Sequence, residues 1–397
     1  MKSLSNYINE SFEIFLELSE RDKTRLIELD REYASLAWMH RNDYNFKDIL
    51  NKKEERKKFF EAYDNGERYN PVVKLGECHY EDDNILERLE TLLGKFKRLS
   101  NCFLSKYYIE NIKKLIGDVN NRIEKLTTQD DMNCTMPAKD VYEKAIETIK
   151  ENHYNTIDAG DRNIDADEAI KKMQDALDEL GYDFTAKKYP NMLPRMNVLP
   201  ERILRVSDKA TFNDDDIEGL IAHEIKGHVG RRFYGYKTGL YLFVHGLDGR
   251  NTLDEGMAIW NSLNIVDKPK PNILFNIALK FIIYYHAVSN DFYDTFVKVS
   301  KILEDTGNEV PRNVLFNTII RCKRCCIDTQ YKGGNISDSD YFLGYNYVNK
   351  LDDEDRENLL KYNVGIKQVY EIPTIKKFFE VNSFAPIEEI NVYIPEV

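Results

Sequence analysis

NDDDIEGLIAHEIKGHVG, at residues 213–230, combines a helix start signal with two histidines on an amphipathic segment. The three aspartates that follow Asn213 suit the first turn of a helix, because the helix N-terminus favours negative charge. Apolar residues at positions 217, 220, 221, 225 and 229 form one side of that helix. The segment therefore predicts a helix that begins near Asn213 and carries His223, Glu224 and His228.

The two histidines lie five residues apart, whereas the better-known HExxH zinc motif places them four apart. On an ideal helix, five residues rotate by about 500°, which leaves the two side chains roughly 140° apart. A π-type turn with an i→i+5 repeat would bring both histidines to one side. Gly227 would lower the cost of such a distortion. The spacing therefore predicts a wide turn in this helix if both histidines bind one metal ion.

A third ligand is expected on the next helix, because a catalytic zinc ion usually takes three protein ligands and keeps one position open. TLDEGMAIW, at residues 252–260, supplies Glu255 as that ligand and Asp254 as an acceptor that orients a ligand histidine. We therefore expect Zn²⁺ to be bound by His223, His228 and Glu255. Glu224 is predicted to be the general base for a zinc-activated water, in metal-assisted hydrolysis of a peptide bond.

Composition limits the partners of the chain. Its formal net charge of −12 argues against nucleic acid as a partner, since phosphate binding needs a basic face.

The N-terminus lacks the basic and apolar regions of a secretory signal. The most apolar segment, 273–285, is too short to cross a bilayer and contains Lys280, so we interpret it as a buried core helix. We expect a cytoplasmic protein without a membrane partner; the oligomeric state is left open.

The fold class is predicted to be α+β and mainly helical. Helical periodicity dominates the first ~130 residues, and a polar stretch around Thr127 to Ala138, which includes Pro137, suggests a soft boundary. We expect an N-terminal helical region at 1–135 and a zincin-like catalytic domain with a small sheet at 136–397, although the two can form one continuous unit. Residues 202–206 are expected to form a strand whose edge pairs with an extended substrate. A loop is expected at 235–251.

The cysteines carry no clear function. Six are present, and Cys322, Cys325 and Cys326 form a CxxC followed directly by another cysteine. A redox or second metal site would need partner residues nearby, and the sequence shows none. We interpret these residues as ordinary reduced thiols on a helix.

A family resemblance is carried by HEIKGH at 223–228 followed by DEGMA at 254–258. This pair resembles the HEIGTH and QEGLA-type motifs of the microtubule-associated tyrosine carboxypeptidase (MATCAP) family, whose bacterial relatives are known as flavohemoglobin expression-modulating QEGLA motif proteins. Further similar blocks are GLDG at 246–249, RCKR at 321–324 and DYFLG at 340–344. The resemblance covers roughly residues 60–350 and is strongest at 203–262. This chain has Lys226 and Gly227 where the family has Gly and Thr.

The resemblance implies a zinc carboxypeptidase with His223, His228 and Glu255 as metal ligands and Glu224 as base. Animal members remove a C-terminal tyrosine from α-tubulin and related tails, so the implied partner is a peptide or protein C-terminus.

Two further roles follow from the chemistry that such an enzyme needs. A terminal carboxylate is best held by a bidentate arginine, and the match to the family blocks favours Arg321 and Arg324. An oxyanion needs a donor, for which Tyr341 and His245 are candidates.

Other function classes stay open at this point. HEIKGH also resembles the HELLGH of dipeptidyl peptidase III, but DEGMA does not match the second motif of that family. The protein could instead be a zinc-dependent amidase or hydrolase of a small molecule. It could also be a regulatory protein that keeps the motif without turnover.

Overall fold

The computed structural model describes residues 16–41, 49–74, 84–99, 101–127, 136–154, 162–190, 192, 194–265, 272–323 and 328–390. The side chains at positions 40, 41 and 121–127 lie outside this description. No helix within these ranges combines the length and the apolar character needed to cross a bilayer.

The prediction of a mainly helical chain with a small sheet is confirmed. In chain order the α-helices are α1 (Glu20–Arg41), α2 (Lys52–Asp64), α3 (Ile85–Arg98), α4 (Ser105–Thr127), α5 (Lys139–Glu151), α6 (Ala166–Glu179), α7 (Asp214–Leu220), α8 (Gly230–Lys237), α9 (Tyr241–His245), α10 (Arg250–Leu263), α11 (Ile273–Ala287), α12 (Phe292–Asp305), α13 (Arg312–Lys323), α14 (Ser337–Val348), α15 (Asp353–Lys361) and α16 (Ile372–Val381). A π-helix joins α7 to α8 at Ile221–Val229, and a 3₁₀ helix precedes α16 at Ile366–Glu371.

The sheet has three strands, β1 (Thr185–Tyr189), β2 (Met196–Leu199) and β3 (Ile203–Ser207), in the order β1-β3-β2. β3 pairs in parallel with β1 and antiparallel with β2. Both sides of β3 are therefore occupied by neighbouring strands. The expectation that the strand at 202–206 offers an edge to a substrate is wrong, because its backbone groups already pair on both sides.

The N-terminal helices share a hydrophobic core with the second half of the chain. Buried residues of α1, α3 and α4 pack in one cluster with residues from α9, α10 and α16. Asp30 of α1 ties the two parts together, because its carboxylate accepts hydrogen bonds from the backbone N–H groups of Tyr241 and Leu242 at 2.7 and 2.9 Å. The boundary predicted near 135 lies outside the described residues.

One local prediction agrees with the structure, and a second does not. The apolar segment 273–285 lies within α11, most of whose residues are buried. The predicted loop at 235–251, in contrast, contains the short helix α9, whose residues are all buried. Asp30 satisfies the first N–H groups of α9 from a distant helix, and a local pattern does not reveal that contact.

Candidate metal centre

The helix that carries both histidines begins as predicted. Asn213 is the N-cap of α7; its side chain accepts a hydrogen bond from the Asp216 N–H, and Asp216 bonds back to the N-cap backbone in a capping box. After two turns the chain changes to the π-helix at Ile221–Val229. The predicted wide turn is therefore confirmed. It brings His223 and His228 to one side, with their ring centroids 5.1 Å apart.

Gly227 has a tertiary role in addition to its local one. A Cβ atom at this position would lie 2.9 Å from both Cα and Cβ of Ala258 in α10. Such separations are shorter than van der Waals contact, so any side chain would push the π-helix away from α10. The absence of a side chain at Gly227 allows the two helices to approach closely, and α10 carries Glu255.

His223, His228 and Glu255 place one ligand atom each within 4.8 Å of one another. Glu255 Oε2 lies 3.8 Å from His223 Nε2 and 3.9 Å from His228 Nε2. Ligands around a tetrahedral zinc ion with bonds of about 2.0–2.1 Å lie about 3.4 Å apart. The two separations between the carboxylate and the imidazoles exceed this value by about half an ångström, and no two of the three ligand atoms are more than 4.8 Å apart. Two imidazoles with one carboxylate form a donor set that suits Zn²⁺.

The second nitrogen of each imidazole has its own acceptor. His228 Nδ1 lies 3.3 Å from Asp254 Oδ2, the position that an orienting carboxylate requires. His223 forms a hydrogen bond with the backbone of Ala258. Both rings are thus held with Nε2 towards Glu255. This arrangement fixes the tautomer that a metal ligand needs.

Asp254 is itself held by two arginines. Arg250 Nη1 lies 3.1 Å and Arg231 Nε 3.5 Å from its carboxylate oxygens. Arg231 is fully buried and also donates to Asn363 Oδ1 at 2.9 Å. Burial by itself would raise the pKa of Asp254, but His228 and then the two arginines outweigh it and keep that pKa well below its usual range. The acceptor of His228 therefore remains ionised.

Burial and neighbouring charges give the three motif residues His223, Glu224 and His228 very different pKa values. Burial lowers the pKa of His223 to about 3, with the charge of His228 acting in the same direction. Burial also opposes protonation of His228, but the Asp254 carboxylate outweighs it and raises the pKa to about 9. Glu224 is a buried residue, 8% exposed, and burial raises the pKa of its carboxyl group to about 7. A carboxyl that titrates near neutrality can accept and return protons.

The predicted substrate residues Tyr341 and Arg321 meet beside Glu255. Tyr341, on α14, is hydrogen-bonded to Arg321, and its pKa is raised first by the negative charge of Glu255 and then by burial. Arg321 Nη2 lies 3.2 Å from Asp338 Oδ1. Arg324 lies outside the described residues, as do Cys325 and Cys326. Cys322 is buried on α13 and forms no disulfide within the described residues.

His245 lies in an aromatic environment. It is buried at the end of α9, with its ring centroid 4.8 Å from that of Trp38 and 5.8 Å from that of Tyr33 in α1. Its proposed oxyanion role stays a prediction.

Lys280 is a residue of this site that the sequence interpretation missed. Its Nζ lies 4.2 Å from the ring centroid of Tyr341, and its charge acts on both His223 and Glu255. The signal was present, because a single lysine stands among almost continuous apolar residues in α11. Lysine is rarely enclosed in a core without a partner or a function.

Comparison with known proteins agrees with the motif resemblance. No match was found among curated proteins. A family model described as microtubule-associated tyrosine carboxypeptidase matches residues 94–309. The match includes the π-helix with its two histidines and α10 with Glu255. Since it spans more than half of the chain, this protein belongs to the microtubule-associated tyrosine carboxypeptidase (MATCAP) family.

Proposed function

We propose that this protein is a zinc-dependent carboxypeptidase that removes a C-terminal residue from a peptide or protein. The observation that carries the proposal is the convergence of His223, His228 and Glu255 from two adjacent helices. Their side chains retain 21%, 13% and 25% exposure, so a substrate can reach the group. The family is named for tyrosine carboxypeptidase activity, which favours a terminal tyrosine as the residue removed.

His223, His228 and Glu255 would hold the ion, and Asp254 would keep His228 in the required orientation. When bound there, zinc supplies a Lewis acid beside the scissile carbonyl group. Glu224 takes a proton from the attacking water and delivers it to the leaving amine nitrogen. The water oxygen bonds to the carbonyl carbon as the C–N bond breaks, so one water is consumed for each amino acid released. Tyr341 lies near Glu255 and can donate a hydrogen bond to the carbonyl oxygen.

The catalytic part has a zincin-like arrangement in this proposal, with a small sheet directly before the metal-binding helix. β2 is better suited than β3 to pair with an extended peptide. It packs on the π-helix and, among the described strands, pairs only with β3. A peptide added to the outer side of β2 would therefore run beside the histidines.

The decisive test is Glu224→Gln. We expect the unaltered protein and the variant each to bind one zinc ion per chain, because glutamine keeps the shape of the side chain and no ligand is lost. Hydrolysis should fall by about 10²- to 10⁴-fold, the range typical of losing a general base. Zinc would be measured by elemental mass spectrometry, and cleavage by mass spectrometry of a library of peptides with free C-termini. Glu354→Gln, at an exposed position of α15, is the matched control.

Two outcomes would overturn the proposal. Full activity in Glu224→Gln would remove the general-base mechanism. A zinc-loaded protein that cleaves no peptide in the library would instead support the small-molecule hydrolase or the regulatory protein.

A further inference from the structure

Lys280 is a cation without an anionic partner beside the candidate metal centre. It lies near the middle of α11, whose other residues are mostly buried and apolar. Within the described parts of the chain, its ammonium group forms neither a hydrogen bond nor an ion pair, and it lies over the ring of Tyr341. An ammonium group has three donors and no acceptor. Enclosing it without an anion is costly, so a site for one is expected here.

The neighbouring charges show which cations are already balanced. Arg321 is paired with Asp338, which is only 1% exposed, and it also bonds to Tyr341. Asp340 accepts a hydrogen bond from Thr252 Oγ1 at 2.6 Å. Lys280 acts electrostatically on Glu255, but the two are not within ion-pair distance of each other. Glu255 is in any case the proposed third ligand of a divalent cation, which would take up its charge.

Burial and the nearby Arg321 lower the pKa of Lys280 to about 8, while Asp338 and Glu255 act in the opposite direction. The amine is therefore mostly protonated at neutral pH, although its charge is not fully compensated. An added carboxylate would restore the balance. Coulomb attraction between groups this enclosed is stronger than at a water-exposed surface.

We propose that the Lys280 ammonium binds the terminal carboxylate of the peptide substrate, while Arg321, held by Asp338, positions the Tyr341 phenol beside it. This inference rests on the proposed carboxypeptidase function, and it assigns the carboxylate to a lysine of α11 instead of the arginine pair expected from the sequence. A carboxylate at this point places the last peptide bond next to His223 and Glu255. This arrangement would explain why a residue is removed only from a free C-terminus.

The probes for the test are two fluorescein-labelled decapeptides of one sequence ending in tyrosine, one with a free carboxylate and one with a C-terminal amide. Binding would be measured by fluorescence anisotropy to the zinc-loaded Glu224→Gln protein, in which turnover is suppressed. We expect the free carboxylate to bind at least tenfold more tightly than the amide. Adding Lys280→Met should reduce this preference to less than threefold, because methionine keeps the apolar stem without the charge.

Further variants separate charge from structure. Lys280→Arg should recover part of the preference, since it restores the positive charge. Arg321→Met should keep the preference for the carboxylate but lower kcat on the active enzyme, as expected of a positioning residue. Lys376→Met, at an exposed position of α16, should change neither quantity. Zinc content would be measured for every variant to confirm that the centre has formed.

The inference is overturned if Lys280→Met keeps its zinc and still prefers the free carboxylate over the amide as strongly as before. It is also overturned if Arg321→Met is the variant that loses this preference. It is equally overturned if the Glu224→Gln protein binds the two peptides with the same affinity. Failure of the proposed function looks different. In that case the unaltered enzyme would cleave no peptide, while a Lys280-dependent preference for the carboxylate would still support the anion site.

Discussion

Gly256 of α10 and Gly344 of α14 pack backbone against backbone. A Cβ atom at Gly256 would lie 2.8 Å from Cα of Gly344 and would overlap its carbonyl group. A Cβ at Gly344 would overlap the carbonyl oxygen of Thr252 and lie 2.9 Å from the Gly256 nitrogen. The two helices therefore cross in close contact at these glycines, and this crossing places α14 against α10, the helix that carries Glu255. Tyr341 reaches the candidate metal centre because no side chain separates the two helices.

Gly344→Ala is expected to destabilise the protein, because the added methyl group meets backbone atoms that cannot rotate away. We expect the free energy of unfolding to fall by about 3 kcal/mol, the upper part of the range for overpacking. The measurement is chemical denaturation followed by circular dichroism. Gly94→Ala is the control, since a Cβ there meets no atom within 4 Å and alanine favours a helix by about 1 kcal/mol. Equal stability of the two variants would contradict the proposed role of the crossing.

Gly227→Ala should impair metal binding. The methyl group would push the π-helix away from Ala258 and so separate His223 and His228 from Glu255. We expect zinc affinity to fall by at least tenfold, measured by competition with a fluorescent chelator. Gly117→Ala, where a Cβ would meet no atom within 4 Å, should leave the affinity unchanged. Unaltered zinc binding by Gly227→Ala would mean that the helix contact does not position the ligands.

Asp254→Asn tests the orienting carboxylate. Asparagine keeps the size of the side chain but removes the charge that His228, Arg231 and Arg250 share. We expect zinc affinity to fall by about 10- to 100-fold, as is typical when the hydrogen-bond partner of a ligand histidine is removed. The protein should also lose stability, since Arg231 is left buried without its carboxylate. Asp175→Asn, at an exposed position of α6, provides the control for both measurements.

Zinc binding at pH 7 should release a proton from His228. In the metal-free protein the pKa of His228 is about 9 and that of His223 about 3, so of the two ligand histidines His228 is the one that carries a proton for the metal to displace. Apparent affinity should therefore rise by about tenfold per pH unit between pH 6 and 8. Titration calorimetry in buffers of different ionisation enthalpy would count the protons. Zinc binding at pH 7 without proton release would contradict the assignment.

The same shift predicts how the stability of the metal-free protein depends on pH. The folded-state pKa of His228 lies above its ordinary value of 6.5, so its pairing with Asp254 stabilises the folded state fully below that pH. The contribution should be lost as pH rises through about 9. The denaturant concentration at which half of the metal-free protein is unfolded should accordingly decrease as the pH is raised from 7 to 9. Asp254→Asn should flatten this dependence.

Several features could be predicted from the local sequence, because they are controlled by hydrogen bonds between residues close in the chain. Asn213 and Asp216 predicted the start of α7, because a cap involves residues three apart. The five-residue spacing of His223 and His228 required a π-type turn, and one is present. The family resemblance was also readable, because the paired motifs at 223–228 and 254–258 lie close in the chain.

Tertiary packing alone decided the rest. Whether the strand at 203–207 is central or at an edge depends on which strands pair with it, and its own residues do not contain that information. Gly227 and Gly344 look like ordinary helix glycines until their partners in α10 are known. In the sequence, Lys280 is simply an unusual charged residue in an apolar helix. Its place in the site is known only because α14 packs nearby and puts Tyr341 next to it. Sequence periodicity encodes contacts within one element, whereas the meeting of distant elements is set by the shape and charge of the whole packed core.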